Sequence, residues 1–143
     1  HVDSSAASDV YKRQGVFNIN FMKKLSCHCG EVRGEIQLPK EGLKTKRRCN
    51  CTLCKRKGTV MIFVEVKDLQ IKSGSEQLTK YQYHTKVAEH YFCKICGIYT
   101  HHKMRSNPNM YGINAACIEG VDPYKLDNIE IFDGINHPLD KKN

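Results

Sequence analysis

The pattern of hydrophobic and polar positions predicts strands along most of the chain. Val32, Gly34, Ile36 and Leu38 alternate with polar residues until Pro39 ends the run, which is typical of a strand with one buried face. Residues 59–66 are β-branched and apolar, and they predict a central, buried strand. Shorter strands are predicted at residues 70–72, 78–83, 88–92, 98–103, 110–117 and 128–132.

Helical signals are few by comparison. Residues 51–57 form the one plausible helical segment, residues 105–109 read as a loop, and strands and helices do not alternate as they do in βαβ folds. A chain of 143 residues suits one domain with its own core. The sequence therefore predicts a mainly β domain with little helix.

The first 21 residues do not share this pattern. They are polar and aperiodic, and Met22 resembles a natural start. We expect residues 1–21 to be a non-native or disordered leader and residues 22–143 to form one domain. No secretory signal pattern occurs there, and no apolar run approaches the ~18 residues that a membrane span requires.

Seven of the eight cysteines fall into three short clusters with C-x-C, C-x-C-x-x-C and C-x-x-C spacing. Such spacings can direct two sulfurs at one metal ion. Disulfides would suit a secreted protein, and C-x-C geometry strains an S–S bond. The pattern therefore favours metal ligation in a reducing cytoplasm.

The first and third clusters form a natural set of four ligands: Cys27, Cys29, Cys93 and Cys96. Each pair is followed by a glycine, which allows the positive φ that such turns often need. The strand segments beside the two pairs, residues 31–38 and 88–92, could be neighbours in one sheet. We therefore expect a closed, structural site that joins distant parts of the chain.

The middle cluster has three ligands, Cys49, Cys51 and Cys54. Three thiolates leave one position of a zinc tetrahedron open, as in catalytic sites. A remote residue could fill that position instead. The candidates are Cys117, His28, His84, His90, His101, His102 and His137. Cys117 lies in an apolar segment and is expected in the core.

The net charge of +8 is concentrated near the middle cluster: residues 40–57 hold eight basic residues and one acid. This run could contact nucleic acid, although it has little aromatic interleaving. It could instead lower the pKa of the embedded thiols and attract an anionic substrate. The third alternative is a solvated, lysine-rich loop.

The order of these motifs resembles one known family. C-x-C-G, C-x-C-x-x-C with basic residues, C-x-x-C-G, Arg105–Pro108 and Asp133–Pro138 follow one another as in the glutathione-dependent formaldehyde-activating enzymes, which share their domain with centromere protein V. The resemblance spans about residues 25–138. It implies a β-tent of small antiparallel sheets held by two zinc ions per chain, a structural one at the four-cysteine set and a catalytic one at the middle cluster.

The resemblance also implies an activity, the addition of glutathione or a similar thiol to formaldehyde or another small aldehyde, formally a carbon–sulfur lyase reaction in reverse. Carboxylates of the thiol would have basic partners in Arg47, Arg48, Lys55 and Arg56. His101 or His102 could carry the proton. The alternatives are a non-catalytic module whose basic face binds nucleic acid or protein, and a redox or metal-buffering protein.

Overall fold

The computed structural model describes residues 21–140. The predicted leader therefore lies outside the described residues except for Phe21. The carbonyl of Phe21 accepts a hydrogen bond from the Leu38 backbone N–H at 2.8 Å, and its ring packs against the core. No helix in the described range is long and apolar enough to span a bilayer.

Ten strands and one short α-helix make up the described part of the chain. The strands are β1 (Met22–Ser26), β2 (Arg33–Gln37), β3 (Lys46–Cys49), β4 (Met61–Glu65), β5 (Leu69–Ser73), β6 (Leu78–Tyr81), β7 (Glu89–Cys93), β8 (Tyr99–Lys103), β9 (Met110–Asn114) and β10 (Glu130–Phe132). The helix, α1, is Thr52–Lys57. The prediction of a mainly β chain with little helix is confirmed.

The strands form two sheets. The smaller is antiparallel, with the order β1-β2-β5, and the larger has the order β10-β3-β4-β9-β8-β7-β6. Every pair in the larger sheet is antiparallel except β10 with β3, which is parallel. The sheets are thus mainly antiparallel, as expected, and the larger one is mixed because of this one parallel pair. Strands β4 to β9 lie between β3 and β10 in the chain, so the connection between this parallel pair is far longer than a hairpin turn, as parallel pairing requires.

The main core lies between the two sheets. Leu25, Ile36 and Leu69 of the small sheet pack with Ile62 and Ile113 of the large one. A second cluster around Cys27, Val32 and Cys93 lies beside it. Burial of these apolar side chains supplies most of the driving force for joining the sheets.

Two strands lack the hydrophobic pattern by which strands are recognised. In β1 two adjacent lysines are exposed, and β3 reads Lys-Arg-Arg-Cys. Pairing of β3 with β4 and β10 holds it in the sheet regardless of its own polarity. The predicted strand over 110–117 ends at Asn114, whose side chain accepts from Ala116 N–H at 3.1 Å and begins a 3₁₀ turn.

The two strand segments beside the four-cysteine set could have been neighbours in one sheet, but the structure places them in different sheets. β2 belongs to the small sheet and β7 to the large one. Their cysteine loops still meet because β5 leads through one 3₁₀ turn into β6, which pairs with β7. The four-cysteine set therefore lies where the two sheets join.

Candidate metal centres and the cavity beside them

The four-cysteine set forms one compact group. The sulfurs of Cys27, Cys29, Cys93 and Cys96 all lie within 4.8 Å of one another. The Sγ of Cys29 is 3.6 Å from that of Cys27 and 3.7 Å from that of Cys93. Zn–S bonds of about 2.3 Å place tetrahedral sulfurs roughly 3.8 Å apart. The set thus fits a closed tetrahedral metal site.

The loops that carry these sulfurs are held by local backbone geometry. Gly30 has φ +82° and Gly97 has φ +77°, so the positive φ expected after each pair is confirmed. The Val32 backbone N–H donates to Cys27 Sγ at 3.3 Å. Cys93 is fully buried. Cys27 and Cys93 are therefore part of the core, whereas Cys29 is exposed.

The middle cluster is assembled by one strand end and one helix start. Cys49 ends β3, Cys51 is the N-cap of α1, and Cys54 lies inside α1. Their sulfurs lie within 4.8 Å of one another, and no further cysteine, histidine or carboxylate among residues 21–140 joins them. The alternative of a remote fourth ligand is thus not supported within the described residues.

Hydrogen bonds to sulfur stabilise a thiolate in this cluster. Cys51 N–H lies 3.4 Å from Cys49 Sγ, and Cys54 N–H lies 3.3 Å from Cys51 Sγ. The Cys54 thiol donates to Cys49 and lowers the pKa of Cys49 to about 5, while the same bond and burial raise the pKa of Cys54. The Tyr83 hydroxyl lies 3.5 Å from Cys51 Sγ.

A cavity of about 480 Å³ opens beside the middle cluster. This volume is in the usual range for small-molecule sites. Its wall contains apolar, aromatic and charged side chains. Besides the three cysteines, the lining includes Arg47, Met61, Phe63, Tyr83, His84, His90, His102, Met104, Arg105, Phe132, Gly134, Ile135, His137 and Asp140.

Of the four basic residues predicted to bind substrate, only Arg47 lines this cavity. Its guanidinium lies 5.2 Å from the Phe63 ring centroid and 5.5 Å from that of Phe132, and 3.6 Å from Glu130. The other three, Arg48, Lys55 and Arg56, are exposed and lie outside the cavity lining.

Lys57 was not predicted as a site residue, yet it lies close behind the cluster. Its Nζ is 3.5 Å from the Tyr99 ring centroid and 3.3 Å from His90 Nδ1. Burial lowers the pKa of Lys57, and the nearby sulfurs of the cluster oppose that shift. The i, i+3 spacing from Cys54 on α1 was the signal that could have identified it.

The two histidines proposed as proton carriers lie on opposite sides of the large sheet. His102 lines the cavity and stacks on His90, its partner across the β7–β8 pair. His101 instead stacks on Tyr91 and hydrogen-bonds Thr100 Oγ1 at 2.8 Å. Burial, with help from Lys57, lowers the pKa of His90 to about 4, so this imidazole is neutral near pH 7.

Residues 133–136 close one side of the cluster. A Cβ on Gly134 would lie 2.4 Å from Cys49 Sγ, so only glycine allows this close approach. Asn50 fastens the segment, donating to Asp133 Oδ1 at 3.2 Å and accepting from the Ile135 N–H at 3.1 Å. Cys117 is buried in the core and belongs to neither cysteine group, as predicted.

This fold and site define a mainly β, cysteine-rich protein with two candidate metal centres, one closed and one beside a cavity. Residues 22–133 match the family described as glutathione-dependent formaldehyde-activating enzyme, and the chain belongs to that family. It is also similar to a Rhodobacter sphaeroides protein whose crystal structure was determined as a structural genomics target. The two are 45% identical with a TM-score of 0.73, over 76% of this chain and 99% of that one.

Proposed function

We propose that this protein is a zinc-dependent carbon–sulfur lyase that adds glutathione, or a similar thiol, to formaldehyde or another small aldehyde. One observation carries the proposal. Three cysteines with no fourth ligand among the described residues lie in the wall of a cavity of about 480 Å³. Membership of the glutathione-dependent formaldehyde-activating family supports the substrate class.

The residues present suit two zinc ions per chain. Cys27, Cys29, Cys93 and Cys96 would hold a structural ion, and Cys49, Cys51 and Cys54 would hold a catalytic one. When bound, the second ion would favour the thiolate form of a thiol that reaches it. Thiol ligands stay intact only in a reducing compartment, so we also propose that the protein acts in the cytoplasm.

The cavity wall provides the means to bind and orient an anionic thiol. Arg47 offers a guanidinium held between two aromatic rings, a geometry suited to a carboxylate. Met61 and Phe63 give apolar surface for the rest of the ligand. Gly134 lies against Cys49 and Cys51 and so forms one side of the cavity at the cysteine cluster.

The reaction requires one proton at the aldehyde oxygen. The thiol sulfur forms a bond to the carbonyl carbon, the C=O π bond breaks, and the proton released by the thiol ends on the new hydroxyl. His90 can donate a hydrogen bond to the aldehyde oxygen as the thiol proton is transferred to that oxygen: while protonated Lys57 donates to the Nδ1 of His90, the ring hydrogen is on Nε2. His90 lines the cavity and is neutral near pH 7.

The test is a rate comparison, because thiols add to formaldehyde without a catalyst. Zinc-loaded protein should accelerate formation of S-hydroxymethylglutathione above the uncatalysed rate, measured by NMR exchange, with saturation in glutathione. Cys51→Ser should abolish the acceleration, because Cys51 lies in the middle cluster. Cys117→Ser is the matched control and should retain it. Equal rates with wild-type and Cys51→Ser protein would refute the proposal.

A second candidate is a binding module that uses its basic face. It is favoured by the exposure of Arg48, Lys55 and Arg56 outside the cavity lining. Duplex DNA bound through these residues would show an affinity that falls steeply with salt and ignores sequence. That result, together with no acceleration of thiol addition, would favour this alternative.

A further inference from the structure

An ion pair lies in the cavity wall and involves none of the cysteines. Arg105 Nη2 is 2.7 Å from Asp140 Oδ1, and the two side chains are 16% and 31% exposed. His84 Nε2 lies 3.0 Å from the same oxygen. All three residues line the cavity that contains the middle cluster. The pair is thus positioned where a ligand in the cavity would meet it.

Arg105 is the better-buried partner, and a guanidinium with little access to water needs an anion. A guanidinium can bind a carboxylate through two parallel N–H groups, and this makes the contact stronger than one from a lysine. Arg105 also holds the pKa of Asp140 below its usual range, so Asp140 is an anion at neutral pH. Removal of Asp140 would leave Arg105 ready for another carboxylate.

Asp140 is the more easily displaced partner. It lies in a single 3₁₀ turn, Pro138–Asp140, which is held locally by the Asp140 N–H bond to the His137 carbonyl at 2.9 Å. Nearby apolar side chains pack little, since Leu139 is 58% exposed and Ile135 is 64% exposed. Moving this turn therefore exposes little buried surface.

We propose that Arg105 is a second carboxylate-binding residue of the cavity, besides Arg47, and that Asp140 is its internal competitor. A thiol that carries a carboxylate takes the place of Asp140 at Arg105, and a neutral thiol does not. This inference rests on the proposed function and specifies its substrate class, carboxylate-bearing thiols. Arg105 is a specificity-determining residue; the cysteine cluster lies elsewhere in the wall.

The test measures binding without aldehyde, by calorimetry on the zinc-loaded protein. The ligands are glutathione and its diethyl ester, which keeps the thiol and lacks both carboxylates. Wild type should bind glutathione about tenfold more tightly than the ester, and Arg105→Gln should reduce that preference, with Arg47 retaining part of it. Asp140→Asn should bind glutathione more tightly than wild type, by about three- to tenfold, with the ester unchanged.

Arg105→Gln should weaken the binding of glutathione and Asp140→Asn should strengthen it, and these opposite changes in affinity test the inference. A merely structural ion pair predicts that both variants weaken both ligands together, and that result would overturn the inference. Lys125→Gln removes one charge from an exposed 3₁₀ turn outside the cavity and should leave both affinities unchanged. If Arg105→Gln does not fold, the direction of the affinity change in Asp140→Asn still tests the inference.

The same titrations separate this inference from the proposed function. Equal binding of glutathione and the ester by wild type would overturn the role of Arg105 and leave the proposed chemistry standing. Absence of binding by both ligands would overturn the proposed function and this inference with it.

Discussion

The two cysteine clusters are built from the same ligand and differ in what surrounds them. The four-cysteine set takes one loop from beside the small sheet and one turn from the large sheet. The three-cysteine cluster lies within a single stretch of chain, Cys49 to Cys54. The first thus brings together segments that are distant in sequence, and the second is a local loop.

The two clusters also differ in how deeply their cysteines are buried. Cys93 is fully buried and packs with Val32 in its own apolar cluster. Cys49 and Cys51 are only half-buried and line the cavity. Loss of the first site should therefore act on folding, while loss of the second should act on chemistry.

The largest effect is expected for Cys93→Ser. Metal binding at structural cysteine sites contributes about 10–16 kcal/mol, similar to the whole stability of a small domain, about 5–15 kcal/mol. The variant should not yield folded protein, as judged by circular dichroism and the absence of a cooperative thermal transition. Cys117→Ser, a buried cysteine outside both groups, should still fold. A folded Cys93→Ser protein would contradict the structural role.

Cys54→Ser should have an intermediate effect. The fold should persist with a loss of about 1–3 kcal/mol, because Cys54 is buried and hydrogen-bonded. Metal analysis should fall from two zinc per chain to one, and acceleration of thiol addition should disappear. If Cys54→Ser and Cys93→Ser behave alike, the division between the two clusters is wrong.

The smallest effect is expected for Gly134→Ala. The added methyl would lie 2.4 Å from Cys49 Sγ, so residues 133–136 must move away from the cluster. Contacts that orient metal ligands typically change affinity by about 10–100-fold. Competition with a chelator should show weaker binding of one zinc by that factor and no change for the other. Equal weakening at both sites would mean that the clusters are coupled.

The two cysteine groups were open to sequence reasoning because short spacings act locally. C-x-C and C-x-x-C turns bring neighbouring sulfurs together whatever the rest of the chain does. The glycines after two of the pairs, Gly30 and Gly97, indicated the positive φ that the structure has. The expected four-plus-three grouping of sulfurs agrees with the groups found.

The basic residues were harder to assign because β3 carries no hydrophobic alternation. Neighbouring residues of a strand point to opposite faces, and here Arg47 lines the cavity while Arg48 is exposed. Once β3 is known to be a strand, the placement of Arg47 and Arg48 on opposite faces follows. Arg105 belongs to the Arg105–Pro108 motif, but its pairing with Asp140 gave no local signal, since Asp140 lies 35 positions further along the chain (140 − 105).

The sequence by itself determined the mainly β character, the two sets of cysteines and the family, because these depend on periodicity and short spacings. Only the tertiary structure decided which sheets the four-cysteine set joins, which arginines reach the cavity, and that Gly134 lies against Cys49. The physical reason is that these features are contacts between distant segments. Such contacts depend on how the two sheets pack and where β10 pairs, and neither is encoded in any short stretch of chain.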